Sequence, residues 1–162
     1  MEQIKQGGIK MEDLKYIIFK LGEEKYSIFL QYIKGIEDDY RIVTVPNAPP
    51  CIKGIINLRG DVIPVYSLCA RFNMPEKTGE SLLIVNTDDG LLGFEVDAVI
   101  GIEMMEPQNI KRMPKLVKSA DNDYMEEVLK IGKEIIISIT VDELLSPEEN
   151  EQIRQMTEEM SE

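Results

Sequence analysis

The sequence predicts an all-β barrel or sandwich, and three observations carry that prediction. Short apolar runs rich in Ile and Val recur along the chain, and Gly22, Gly60, Gly90 and Gly132 stand in turns between them. Trp is absent and aromatics make up only 6 % of the 162 residues, so the core must be built from Ile, Val, Leu and Met, a mixture that suits pleated surfaces. Hydrophobic residues at 43 % and charged residues at 30 % are ordinary for one globular domain, which at this length buries roughly 70 % of its unfolded surface.

Taken in order, residues 1–13 are polar, contain Gly7-Gly8, and are expected to be a flexible leader. Residues 16–21 read as a strand, Gly22-Glu23-Glu24-Lys25 as a turn and residues 26–28 as the returning strand. A further strand is expected over 41–45, stopped by the rigid loop Pro46-Asn47-Ala48-Pro49-Pro50. Next come two apolar runs flanking Asn57-Leu58-Arg59-Gly60-Asp61, where Gly60 supplies the positive φ of a hairpin turn and Arg59 projects from it. The second run, 62–67, contains Pro64, which argues for an edge or bulged strand. Residues 81–87 and 91–100 form a hairpin around Asp88-Asp89-Gly90, and 128–131 with 134–139 form the last one around Gly132-Lys133. Ser146-Pro147-Glu148-Glu149 then starts a helix, with Ser at N-cap, Pro at N1 and Glu149 completing a capping box; Ile153, Met156 and Met160 recur on one of its faces.

The chain also echoes itself. Ile33-Lys34-Gly35-Ile36-Glu37 returns 66 residues later as Val99-Ile100-Gly101-Ile102-Glu103, and Gly60-Asp61-Val62-Ile63-Pro64-Val65 returns 72 residues later as Gly132-Lys133-Glu134-Ile135-Ile136-Ile137. Two similar small barrels in tandem are the simplest reading, each leaning on the other for burial.

Composition removes several functions. The net charge is −12, and nucleic-acid binding needs phosphate neutralisation by clustered Lys and Arg, a cluster the sequence is not expected to contain; docking on an anionic membrane is disfavoured for the same reason. Six acids against one arginine put −5 of that charge in residues 147–162, leaving −7 for the body. With no His, catalytic triads, histidine metal sites and phosphohistidine chemistry are all absent. Cys51 and Cys69 have no companion ligands and read as reduced, partly buried apolar residues, so neither a metal site nor a cofactor is expected. No apolar run approaches the ~20 residues of a membrane span, and no cationic start leads into an apolar signal segment, so a cytoplasmic protein is expected. Asp88-Asp89 and Glu23-Glu24 are solvated turns; Asp121 and Asp123 lack Ca²⁺-loop spacing. A carboxylate-based hydrolase would need two acids converging in a cleft, and nothing in the sequence places them so.

The segment Gly54-Ile55-Ile56-Asn57-Leu58-Arg59-Gly60, preceded by Val45-Pro46-Asn47-Ala48-Pro49, resembles the CheW-type chemotaxis coupling proteins. The likeness continues through Phe19-Lys20-Leu21-Gly22-Glu23-Glu24, Gly93-Phe94-Glu95-Val96-Asp97 and the closing segment 135–145, covering about residues 14–146. The resemblance implies two five-stranded SH3-like β-barrels on a shared core, with short helices and a C-terminal helix over 147–162. It implies no enzyme but an adaptor that couples chemoreceptors to the CheA-type histidine kinase at receptor arrays on the inner membrane. One barrel would bind the regulatory domain of the kinase, and the groove between barrels the helical hairpin tip of the receptor. Carried over by position, Gly54, Asn57, Leu58, Arg59 and Gly60 belong to the functional segment, and Ile33 and Ile36 fall near the receptor groove. Two departures stand out: Gly35 occupies a position where the family commonly has glutamate facing the arginine, and Phe29 one where an acid is usual. Glu37, two residues on and on the same strand face if the strand is regular, is expected to supply the missing carboxylate to Arg59. The departures leave room for a paralogue that scaffolds another two-component pathway, such as surface motility or development.

Overall fold

A computed structural model describes residues 14–75 and 79–160; the leader 1–13 and residues 161–162 of the tail lie outside that range. The described residues are mostly strand: β1 (Lys15–Leu21), β2 (Glu24–Phe29), β3 (Ile33–Glu37), β4 (Ile52–Leu58), β5 (Asp61–Tyr66), β6 (Ser81–Thr87), β7 (Gly90–Val96), β8 (Ala98–Met104), β9 (Ile110–Arg112), β10 (Glu127–Ile131) and β11 (Glu134–Ser138). Three α-helices accompany them, α1 (Leu68–Arg71), α2 (Val141–Leu144) and α3 (Pro147–Met160), with short 3-10 turns at Leu30–Tyr32, Pro107–Asn109 and Ala120–Asn122. The all-β expectation is met. The run 91–100 divides at Asp97 into β7 and β8, and the strand expected over 41–45 shrinks to a single bridge between Val43 and Ile55.

One sheet runs β8-β1-β2-β11-β10-β9, the other β3-β6-β7-β5-β4. Position for position they correspond, because β11 joins β2 in parallel as β5 joins β7, and β8 flanks β1 as β3 flanks β6. The first sheet has one strand more than the expected five, the three-residue β9. The echo seen in the sequence is thus a repeat of topology, but its copies are interlaced. One compact unit takes the chain up to Tyr32 together with Val99–Leu144; the other takes Ile33–Ala98 and the chain from Leu145 onward. Each hairpin, β1-β2 or β6-β7, pairs with strands from the other copy, which no local pattern announces.

In the first unit Leu14, Tyr16, Ile18, Met105, Leu129 and Ile136 form a core cluster. Phe29 packs on it, with ring centroids 5.3 Å from Tyr16 and 6.2 Å from Tyr32, so it serves the core. The Tyr16 hydroxyl donates to Glu127 Oε1 at 3.4 Å, and burial raises the Glu127 carboxyl above the ordinary range. A raised native pKa makes the charged form a liability that disappears as pH falls through that pKa. Glu127→Gln is therefore expected to raise the melting temperature at neutral pH. The gap to the parent should narrow as the solution is acidified; a gap that widens would contradict the assignment.

In the second unit Ile56, Ile63, Val65, Leu82 and Ile84 form the core cluster, with Tyr40, Ile42, Leu58 and Leu91 packed around it. Pro64 does not mark an edge, because β5 lies between β7 and β4. Its missing N–H is tolerated because the pairing with β7 spans only Val65 and Tyr66. Helix α3 starts as expected: the Ser146 N–H donates to Glu149 Oε1 at 2.9 Å and the Glu149 N–H to Ser146 Oγ at 3.1 Å. Ile153 is its buried anchor and Met156 is half-buried. Cys51 and Cys69 are not disulfide-bonded.

Candidate functional site

The arginine turn is a two-residue hairpin loop closed by the Leu58–Asp61 pair. Arg59 has φ 51° and Gly60 φ 93°, the positive pair of a type I′ turn. Gly60 fits that backbone and has open space where a Cβ would stand; Arg59 adopts it against its own preference. Asn57 braces the loop, its Oδ1 accepting the Gly60 N–H at 3.0 Å, and Leu58 ties the strand end to the core.

Gly54 has a different task. A Cβ there would lie 2.2 Å from the Val43 carbonyl oxygen, because Val43 and Ile55 exchange backbone hydrogen bonds of 2.8 and 2.9 Å across this point. The chain leaves β3 at one edge of the five-stranded sheet at Glu37, and by Val43 it is paired to β4 at the other edge. This short stitch brings the two edges together, as closing a barrel requires.

That closure sets Glu37 beside Arg59, with an N···O distance of 3.6 Å. The expected pairing is therefore present, although the two residues belong to opposite sheet edges. The bulge in the β3–β6 ladder falls between Ile33 and Gly35, so the ladder from Gly35 to Glu37 is regular and those two residues share a face. An added Cβ on Gly35 would meet only Glu37 Oε2, at 3.9 Å. The Arg59 side chain is 76 % exposed, and a pair this open contributes about 0–1 kcal/mol at most. Stability does not explain it. Ile36 is exposed on β3 and Ile33 half-buried, so of the apolar pair Ile36 is the one offered to solvent.

The sequence reading missed a buried polar group beneath this region. Glu95 on β7 is 7 % exposed, accepts the Tyr40 hydroxyl at 2.6 Å and forms an ion pair with Lys53 of β4. Burial, then the hydrogen bond to Glu95, then the nearby charges of Glu95 and Asp38 hold the Tyr40 phenol above the ordinary tyrosine range. The trio holds the segment after β3 against the sheet. Alternation could not have flagged Glu95, since residues 92–96 are buried without a break.

No group of His, Cys, Asp and Glu suited to a metal occurs among the described residues, and none of their helices is long and apolar enough to cross a membrane. A turn presenting an exposed cation paired with one carboxylate is equipped for recognition, because a guanidinium only donates hydrogen bonds and keeps its charge.

Comparison with known proteins agrees. The family model described as CheW-like domain matches residues 15–149. The chemotaxis protein CheW of Treponema pallidum (strain Nichols) is 28 % identical over 145 residues, covering 85 % of each chain. That of Bacillus subtilis (strain 168) is 29 % identical over 140 residues, covering 85 % of this chain and 90 % of the relative. The crystal structure of the scaffolding protein TtCheW from Thermoanaerobacter tengcongensis superposes with a TM-score of 0.76 at 29 % identity, covering 85 % of this chain and 95 % of that one. Sequence motif, barrel topology and these likenesses converge on a non-catalytic adaptor of chemotaxis: the chain belongs to the CheW-like domain family.

Proposed function

We propose that the chain couples the cytoplasmic hairpin tip of chemoreceptors to the regulatory domain of a CheA-type histidine kinase by binding both, and that Arg59, Glu37 and Ile36 are contact residues. The observation that carries this reading is the division of labour in the motif. Asn57, Leu58 and Gly60 build and brace a strained turn, Gly54 makes room for the stitch that closes the sheet, and what the turn presents is a single, highly exposed guanidinium with one loosely held carboxylate. Strained, exposed charge that adds little stability is the kind of feature retained for a partner. Ile33, half-buried at the start of β3, is assigned to the same surface as a weaker contact. This reading puts the protein at receptor arrays on the cytoplasmic face of the inner membrane.

Co-sedimentation tests it. Purified protein should carry the kinase down with receptor-containing membranes, and failure to bind either partner would sink the proposal. Glu37→Gln, which removes the charge but keeps the shape, is expected to shift the melting temperature little and to weaken one of the two associations about three- to tenfold. If it leaves both unchanged while Arg59 variants lose them, Glu37 is not a contact residue.

A further inference from the structure

Among the described residues, Glu95 is the single charged residue of the second unit that is buried. Its Oε2 accepts the Tyr40 hydroxyl at 2.6 Å, and its Oε1 meets the ammonium of the mostly buried Lys53. A pair withdrawn this far from water is weak grounds for stability, because apolar side chains of similar volume often serve as well or better. Its purpose has to be sought elsewhere.

Lys53 reaches Glu95 from a bulge. The β4–β5 ladder pairs Ile52 with Tyr66 and Gly54 with Val65, which leaves Lys53 as the extra residue. A bulge gives up ladder regularity and re-aims a side chain. Here the lysine meets an acid on β7, a strand separated from β4 by β5. Tyr40 comes from the segment that crosses from Glu37 to Val43. That segment is tied again at Asp38, whose Oδ1 accepts the Ser81 hydroxyl at 2.8 Å, and at Val43, through its backbone bonds to Ile55. The trio therefore joins β7, β4 and the crossing segment at fixed atoms.

Two of those three elements carry the exposed pair. Glu37 is the last residue of β3, where the crossing segment begins, and Arg59 directly follows β4. Apolar contact is non-directional, so three apolar side chains would fill the same space and leave the offset between β4 and the crossing segment soft. Hydrogen bonds to particular atoms define that offset.

We propose that Glu95, Lys53 and Tyr40 are positioning residues for recognition: they fix the Glu37 end of β3 against the Arg59 turn and so set the charged geometry that a partner meets. This rests on the reading of Arg59 and Glu37 as contact residues.

Co-sedimentation with kinase and receptor membranes, alongside thermal denaturation of the same full-length preparations, tests it. Tyr40→Phe/Lys53→Met/Glu95→Leu should melt at or above the parent temperature. The association that Arg59→Asn weakens should nevertheless fall about three- to tenfold. In an Arg59→Asn background the same three substitutions should cost about twofold or less, since the geometry they disturb has already lost its cation. Tyr40→Phe alone, which removes one hydroxyl, should cost about two- to threefold with the same dependence on Arg59, and it decides the matter if the triple variant does not fold. A parent that binds neither partner overturns the coupling reading and takes this inference with it. A parent that binds, with variants that bind equally well or lose affinity equally with and without Arg59, overturns this inference alone.

Discussion

Arg59→Asn will leave the fold as stable as the parent or slightly more so, while binding to receptor and kinase falls by tenfold or more. The two halves of this result have separate causes. Asparagine tolerates the left-handed backbone that arginine occupies at φ 51°, and Asn-Gly is the preferred pair for a type I′ hairpin, so the substitution relieves strain of about 1 kcal/mol or less. The lost pair with Glu37 subtracts little, because the guanidinium is largely in solvent. The recognition side loses a charged, bidentate donor, and interface arginines of this kind are worth about 2 kcal/mol, or roughly thirtyfold in affinity. Thermal denaturation and quantitative co-sedimentation on one preparation check both halves. A variant that binds normally would reduce Arg59 to a turn residue, and one that melts well below the parent would show the guanidinium holding the fold together.

Gly54→Ala should be the most damaging single-methyl change in the second unit. The new Cβ would sit 2.2 Å from the Val43 carbonyl oxygen and 2.8 Å from Ile42 Cγ2, and the backbone at φ 157° adds its own penalty. Relief requires moving the stitch away from β4 and giving up the paired Val43–Ile55 hydrogen bonds. Overpacking together with two weakened hydrogen bonds costs about 3 kcal/mol, which for a chain of this size lowers the melting temperature by about 10 °C. Since that stitch also carries Tyr40 and follows directly on Glu37, partner binding should fall along with stability. A melting temperature within about 2 °C of the parent would mean that the segment yields freely and does not close the barrel. The two glycines of the motif thus differ in kind: Gly60 is needed for its φ, Gly54 for the absence of a side chain.

Much of the molecule was legible in its residues because the governing interactions are short-range. Turn chemistry at Gly60, Gly90 and Gly132 and the Ser146 capping box each act within a few residues, and each appears where local pattern placed it. The segment over 41–45 failed for the complementary reason: its β-branched residues favour extended backbone, but only Val43 finds a partner. Pro64 misled because a proline reports a missing donor on its own strand, while edge or centre depends on which strand arrives beside it.

What the sequence determined by itself was the all-β class, the turns, the helix start, the internal echo and an arginine held out on a tight hairpin. Only the tertiary structure decided that the echoed copies interlace, that Glu95 is buried against Tyr40 and Lys53, and that Glu37 reaches Arg59 from the opposite sheet edge. The physical reason is range. Side-chain periodicity and turn preference are properties of neighbouring residues, whereas parallel pairing of β2 with β11 and β5 with β7, and the closure that follows, depend on which distant segments bury one another's apolar faces.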